Sequence, residues 1–141
     1  MRAVCVSNDP KRQVDHQRSR GAEFESEYPL TVGETYLVLG MSIWENVFEF
    51  LVRDDWGGPC FAPAGFFELL TAPIPEGWLF GLRAGVHASG RDLWTSPGIA
   101  VWGYPELVEE QGHAGALQEQ EPEALHLFDK YYEATEKADE S

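Results

Sequence analysis

Turn signals recur about every ten residues between positions 31 and 103, and they restrict this part of the chain to short segments of regular structure. The strongest covers residues 54–59, which read Asp-Asp-Trp-Gly-Gly-Pro. Aspartate side chains accept hydrogen bonds from the local backbone, glycine adopts positive φ, and proline cannot continue a β-ladder. Weaker signals lie at 31–34, 63–65 and 73–77. This spacing predicts a small antiparallel barrel or sandwich.

Short apolar runs lie between these turns. The runs at 35–41 and 47–53 are rich in strand-forming residues, and the five residues 42–46 separate them. Two such runs with so short a link predict a β-hairpin with its tip at 42–46. The other predicted strands cover residues 2–6, 60–62, 66–70, 78–82 and 99–102. The predicted barrel therefore extends over residues 29–103.

The segment 7–28 is polar and shows no sustained period, which predicts a long loop. The C-terminal segment 104–141 has a helical pattern instead. A short helix is predicted over 104–110, and a longer one over 121–137. The 141 residues suit a single domain. We therefore predict one domain, 1–141, made of a polar loop, a barrel and a helical segment.

Acidic residues outnumber basic ones by 24 to 10, so the formal net charge is −14. Residues 104–141 hold 11 of these acids and only two lysines. This balance argues against binding to nucleic acid or to anionic lipid, because both need a basic surface. The acids serve either as a solvated face that maintains solubility or as a surface that steers a basic protein partner.

No apolar run reaches the length of a membrane span, and the run at 1–6 is too short for a secretion signal. We therefore expect a cytoplasmic protein without membrane contact. The two cysteines, Cys5 and Cys60, have apolar neighbours and are predicted to pack as small apolar side chains.

Motifs that carry chemistry are missing from the sequence. It has no phosphate-binding glycine loop, nucleophile elbow, paired Cys-x-x-Cys or zinc-binding His-Glu-x-x-His helix. The four histidines are scattered through the chain: His16, His87, His113 and His126. Metal sites usually need closely spaced ligands. The sequence therefore predicts no catalytic residue, metal site or cofactor.

Two tryptophans fall in predicted turn tips beside acidic residues. Trp44 precedes Glu45, and Trp56 follows Asp54 and Asp55. Because tryptophan flanked by charge is a frequent anchor at protein interfaces, these five residues are the predicted partner-binding set. Two structural alternatives remain open. Both rings can fold back as lids over the barrel ends, and the aspartates can act only as turn-forming residues.

Several stretches resemble a group of small, largely uncharacterised bacterial proteins with an SH3-like barrel, some of which resemble immunity proteins of polymorphic toxins. The resembling residues are 28–33, 36–44, 51–55, 63–64, 67–68, 77–78 and 101–108, within a similarity that covers about 80 of the 141 residues. Residues Cys60 and Phe61 depart from the more polar, aromatic pair that the group implies. The resemblance implies a fold rather than any catalytic residue.

We therefore predict an α+β protein: a small antiparallel SH3-like β-barrel of five to seven strands, with C-terminal helices packed on it. The leading hypothesis is a non-enzymatic immunity protein that neutralises a basic toxin, for example a nuclease, by occluding it. One alternative is a small enzyme that uses Asp54, Asp55 and a histidine. Another is a regulatory module that holds a small molecule between tryptophan rings.

Overall fold

The computed structural model describes residues 1–9, 28–44, 47–71, 73–84, 98–110 and 112–140. Its strands are β1 (Arg2–Cys5), β2 (Thr35–Leu37), β3 (Gly40–Trp44), β4 (Val47–Arg53), β5 (Pro59–Pro63), β6 (Phe67–Leu69), β7 (Leu79–Ala84) and β8 (Gly98–Gly103). Its α-helices are α1 (Pro105–Glu109), α2 (His113–Gln118) and α3 (Pro122–Glu140), and a short 3₁₀ helix covers Ala64–Phe66. Most of the predicted polar loop, residues 10–27, lies outside the described residues.

The strands form two antiparallel sheets. One has three strands in the order β2–β1–β6, and the other has five in the order β5–β4–β3–β8–β7. The predicted hairpin is present as β3 and β4, whose register runs from the pair Gly40–Leu51 to the pair Trp44–Val47. The strands extend further toward the tip than the sequence indicated, so only residues 45–46 separate them.

The chain passes from one sheet to the other at Val38 and Leu39. The Val38 amide donates to the Met1 carbonyl at 2.9 Å, and the Leu39 amide donates to the Leu51 carbonyl at 2.8 Å. Val38 packs in one hydrophobic core and Leu39 in the other. The single apolar run predicted over 35–41 is thus divided between two sheets, because its successive side chains are buried on opposite sides.

The α+β class and the C-terminal helices are confirmed. The ladders among the described residues do not form one closed barrel, so that part of the prediction is wrong. Ladder pairing is interrupted at residues 38–39 and again at the 3₁₀ helix Ala64–Phe66, where the chain bends between β5 and β6. Two shorter sheets result.

The first hydrophobic core lies between the two sheets. Its largest contributions are aromatic: Tyr36 and Phe67 meet edge to face at 6.1 Å, and Phe50 lies 5.7 Å from Phe67. Its buried members are Met1, Ala3, Cys5, Leu30, Tyr36, Val38, Phe50, Val52, Ala62, Phe66 and Phe67. Burial of this apolar surface holds the three-stranded sheet against the five-stranded one.

The helices cover the opposite face of the five-stranded sheet and form the second core. Its buried members are Leu39, Leu51, Val101, Tyr104, Leu107, Val108, Leu117, Ala124 and Phe128. Two glycines let α1 approach the sheet closely: a Cβ at Gly40 would lie 2.3 Å from Leu107 Cδ2, and one at Gly81 would lie 2.8 Å from Val108 Cγ1. The helix therefore packs directly onto the backbone of β3 and β7.

Helix α3 confirms the predicted long C-terminal helix and extends it by three residues beyond position 137. The spacing of Leu125, Phe128 and Tyr132, widened by Leu127 and Tyr131, predicts one apolar face of this helix. Phe128 is fully buried at its centre, whereas Leu125 and Tyr132 are only partly buried and Ala124 is buried beside Phe128. The buried side of α3 therefore includes Ala124 and Phe128, which pack with Leu117 of α2 in the second core.

Candidate functional site

The turn at residues 54–58 connects β4 to β5 and is held by its own side chain and backbone. Asp54 Oδ1 accepts hydrogen bonds from the backbone amides of Trp56 and Gly58, each at 3.0 Å. The Asp54 amide donates to the Gly58 carbonyl at 2.8 Å, and Gly57 adopts a positive φ of 84°. The residues at these positions therefore form the turn that their chemistry predicts.

Asp55 attaches this turn to the three-stranded sheet. Its carboxylate accepts hydrogen bonds from the Tyr36 hydroxyl at 2.6 Å and from the Thr31 hydroxyl at 2.7 Å. Its backbone amide donates to the Pro29 carbonyl at 2.9 Å. Burial, together with the adjacent Asp55 carboxylate, raises the pKa of Tyr36 to about 12, so this hydroxyl keeps its proton at neutral pH. Asp54 thus closes the turn on itself, and Asp55 fixes it to the strand β2 and to the segment before that strand.

The two aspartates have local structural roles. Burial raises the pKa of the Asp54 carboxyl from its usual value, although hydrogen bonds from the backbone of Gly58 and Trp56 oppose that rise. Asp55 accepts from two hydroxyls. The interpretation of Asp54 and Asp55 as turn-forming residues is therefore supported by the hydrogen bonds that each accepts.

Trp56 extends into solvent from this rigid turn. It is 85% exposed, the highest value among the large apolar residues in the described part of the chain. The alternative in which this ring folds back as a lid over the barrel end is therefore wrong. The reason is local: the hydrogen bonds of Asp54 and Asp55 hold the backbone of the turn in a conformation that leaves the indole in solvent.

The C-terminal helix reaches the same end of the molecule. Arg53 donates to the Gly57 carbonyl at 3.2 Å, and its guanidinium lies 4.6 Å from the centre of the Tyr132 ring. A terminal nitrogen of Arg53 is 3.9 Å from Asp129. The hollow between the turn and α3 has a volume of about 360 Å³, and its lining includes the carboxylates of Glu34, Asp54 and Asp55. Acidic groups therefore surround the base of the turn.

Trp44 has its backbone beside the other end of β4 from this surface. It is the last residue of β3 and pairs with Val47, the first residue of β4, whereas the turn at 54–58 follows the last residue of that strand. Seven residues of extended chain separate the two ends by about 20 Å. The side chain of Trp44 and the whole of Glu45 lie outside the described residues. The structure thus brings together Asp54, Asp55 and Trp56 and separates them from the backbone of Trp44.

The sequence pattern does not predict an exposed apolar face on the five-stranded sheet, which we call the apolar sheet face and define as Ile43, Phe48, Phe80 and Leu82. Ile43 pairs with Phe48 of β4 on one side and with Ala100 of β8 on the other. Ala100 in turn pairs with Leu82 of β7, so these side chains lie on the same face of the sheet. Phe80 is 53% exposed and Leu82 is 75% exposed. The alternation of apolar residues at 80 and 82 was visible in the sequence, but it does not tell which face is covered.

A buried polar network between the helices is likewise not predicted by the sequence pattern. The Tyr104 hydroxyl lies 2.6 Å from His113 Nε2, and the Tyr104 ring stacks on Tyr131 at 4.3 Å. The Tyr131 hydroxyl donates to a carboxylate oxygen of Glu106 at 2.6 Å. Burial lowers the pKa of His113 and raises that of Tyr104, so a neutral imidazole faces a protonated phenol. This network joins α1, α2 and α3.

Tyr104 and Tyr131 also line a cavity of about 530 Å³ between α3 and the loop at residues 73–78. Its other walls include Trp78, Ile74 and Ala134. The polar side-chain atoms of the two tyrosines are already engaged within the chain, by His113 and by Glu106. The cavity therefore presents mainly apolar and aromatic surface.

Three other features bear on the predicted chemistry. Both cysteines are free thiols, and burial raises their pKa, that of Cys60 to about 12. Within the described ranges, no group of three or more His, Cys, Asp or Glu residues is arranged to hold a metal ion. In the same part of the chain, no helix has the length and apolar character that crossing a membrane requires.

Comparisons with protein-family models, with curated proteins and with solved structures gave no match to this chain.

Proposed function

We propose that the chain is a non-enzymatic binding protein that recognises a basic protein partner, with Trp56 as the anchor. The observation that carries this proposal is the 85% exposure of Trp56 on a turn whose backbone is held by Asp54 and Asp55. A rigid exposed indole loses little conformational entropy on binding and buries a large area, which is why tryptophan is common among energetically important interface residues.

The charge of the chain supports a basic partner. The net charge is −14, and Asp129 of the acidic helix α3 lies beside Arg53 at the base of the turn. Such a surface attracts a basic protein and raises its association rate, most strongly at low ionic strength. Because both aspartates accept hydrogen bonds from within the chain, this proposal assigns them to shaping and charging the surface rather than to catalysis.

The more specific form of the proposal is an immunity protein that occludes a basic toxin, for example a nuclease, in the cytoplasm. An acidic surface with an aromatic anchor suits a target site that otherwise binds a polyanion. We extend the proposal to an SH3-like architecture. It would be an open variant of that architecture, because the two antiparallel sheets pack on each other through the first hydrophobic core instead of closing into one barrel.

The test is calorimetry on the purified chain mixed with the product of the gene next to its own, at about 50 mM and about 500 mM salt. We expect a complex at low salt that weakens at high salt. Trp56→Ala should weaken it at least about tenfold. The matched control is Ile74→Ala, which removes a side chain that is 56% exposed and lies in a different loop. Absence of a complex at low salt, or equal loss in both variants, contradicts the proposal.

A second candidate function is favoured by the cavity between α3 and the loop at 73–78. Its volume of about 530 Å³ lies within the usual range of small-molecule sites, and its walls include Trp78, Tyr104 and Tyr131. This function is a regulatory module that binds a small apolar or aromatic molecule. A thermal-shift screen against metabolites distinguishes the two functions, because only this one gives stabilisation without a protein partner.

A further inference from the structure

The edge of the five-stranded sheet at β7 differs from the opposite edge at β5. Strand β5 begins at Pro59 and ends at Pro63, and proline cannot donate to a neighbouring strand. Strand β7 has six residues and no proline, and in the described part of the chain its only ladder is the one with β8. An edge of this kind offers backbone hydrogen-bonding groups to a further strand.

Two side chains of β7, Phe80 and Leu82, add exposed apolar surface to this open edge. Phe80 and Leu82 point to the same face and are 53% and 75% exposed, and Phe80 lies against Trp102 of β8 with the ring centres 4.8 Å apart. Residues 78–84 contain no acidic residue, although the chain as a whole has 24. This edge is therefore a place where two copies of a highly negative protein meet without bringing acids of the strand together.

The sequence of β7 is complementary to itself in an antiparallel pair. A twofold axis at Gly81 places Phe80 of each copy opposite Leu82 of the other and places the two Gly81 residues opposite each other. Directly opposed side chains lie on the same face with Cβ atoms about 4.5–5.5 Å apart, so both apolar pairs form in this register. The register centred on Phe80 places Phe80 opposite Phe80 and Leu82 opposite Trp78, which precedes the strand. The register centred on Leu82 places Leu82 opposite Leu82 and Phe80 opposite Ala84. Only the register centred on Gly81 pairs Phe80 with Leu82.

We propose that a second copy of this chain binds at β7 by antiparallel strand addition centred on Gly81, which joins two five-stranded sheets into one. Apolar side chains of the apolar sheet face and backbone hydrogen bonds hold the pair, while the net charge of −14 on each copy opposes it. The dimer therefore tightens when salt is added. This dependence is opposite to that expected for a basic partner, so the two proposals succeed or fail separately.

The first experiment is analytical ultracentrifugation of the full chain from about 1 to about 200 µM, at low and at high salt, with an expected dissociation constant on the order of 10 µM. Leu82→Lys should abolish the dimer over this range. The control Ile74→Lys adds the same charge at an exposed apolar residue outside the sheet, and it should dimerise like the unaltered chain. Circular dichroism checks that both variants are folded.

A cross-linking experiment tests the register. Phe80→Cys and Leu82→Cys proteins are treated with a cysteine-specific linker that spans about 5 Å, each alone and then mixed. We expect cross-linked dimers mainly in the mixture. A chain that is monomeric throughout the concentration range, a Leu82→Lys variant that still dimerises, or cross-links that form best within a single variant would overturn the proposal.

Discussion

Replacement of Gly40 by alanine tests whether α1 packs directly on the sheet backbone. Gly40 begins β3, and its cross-strand partners are Leu51 and Gly103. An added Cβ would lie 2.3 Å from Leu107 Cδ2 and 3.2 Å from the Trp102 carbonyl oxygen. Carbon atoms pack best at about 3.5–4.0 Å, so the new methyl group overlaps the leucine by more than about 1 Å.

The size of the effect depends on whether Leu107 can move. Leu107 is only 3% exposed and belongs to the core that contains Leu117 and Phe128, so no open space receives a rotated side chain. Overpacking of this kind costs about 1–3 kcal/mol, and the gain from replacing glycine by alanine in a strand is about 0.5–1 kcal/mol. We therefore expect the free energy of unfolding to fall by about 1–2 kcal/mol in Gly40→Ala.

The assay is urea unfolding followed by tryptophan fluorescence, with the midpoint compared at constant m-value. The matched control is Gly115→Ala in α2, where nothing lies within 4 Å of the added Cβ. Because alanine stabilises a helix interior, this variant should be as stable as the unaltered chain or more stable by up to about 1 kcal/mol.

A double-mutant cycle with Leu107→Ala identifies the contact. Leu107→Ala alone should cost about 2–5 kcal/mol through the cavity that it leaves. In the double variant the methyl group added at position 40 enters that space, so the combined loss should fall short of the sum of the two by at least about 1 kcal/mol. A Gly40→Ala variant with unchanged stability, or two losses that simply add, would refute the reasoning.

Two further predictions concern the turn and the buried histidine. Asp54→Ala should lower the free energy of unfolding by about 1–2 kcal/mol in urea unfolding, because the Trp56 and Gly58 amides lose their acceptor. Glu68→Ala, at an exposed position of β6, should change it by less than about 0.5 kcal/mol. Burial lowers the pKa of His113 in the folded chain, so below about pH 6.5 the unfolded chain binds the proton first and stability falls as the pH drops. In His113→Gln the free energy of unfolding should fall less steeply as the pH drops, by up to about 1.4 kcal/mol per pH unit between about pH 6.5 and the pKa of His113 in the folded chain. A pH profile identical to that of the unaltered chain would contradict the burial of His113 in its neutral form.

The separation of the two tryptophan tips followed from the predicted strands themselves. A hairpin tip at 42–46 and a turn at 54–59 flank one strand, and successive turns of an antiparallel meander lie at opposite ends of that strand. The prediction groups Trp44 with Trp56 in one partner-binding set because both share the local pattern of an indole beside acids. The pattern describes the chemistry of each tip, whereas strand length decides how far apart the tips lie.

The local sequence pattern does not predict whether Trp56 is exposed or buried. An indole beside two aspartates suits either an interface anchor or a lid, because both begin from the same turn. The choice depends on whether the core needs that ring. Here Phe50, Phe66 and Phe67 occupy the core between the sheets, and Trp56 is left outside it. Those aromatic residues come from two separate segments, β4 and the adjacent positions 66–67, which lie on either side of the turn, so the sequence of the turn alone does not contain the answer.

The sequence alone determined the features that nearest neighbours control: the turn at 54–58, the start of α1 at Pro105 and the long amphipathic helix α3. Each depends on contacts within a few residues, where side-chain chemistry and backbone conformation are directly coupled. Only the tertiary structure decided that Val38 and Leu39 pack in different hydrophobic cores, that Gly40 and Gly81 let α1 lie directly on the sheet backbone, and that Phe80 and Leu82 remain exposed. These outcomes depend on which strands and helices, distant in the chain, pack against each face of the sheets. No single segment of the sequence contains that information.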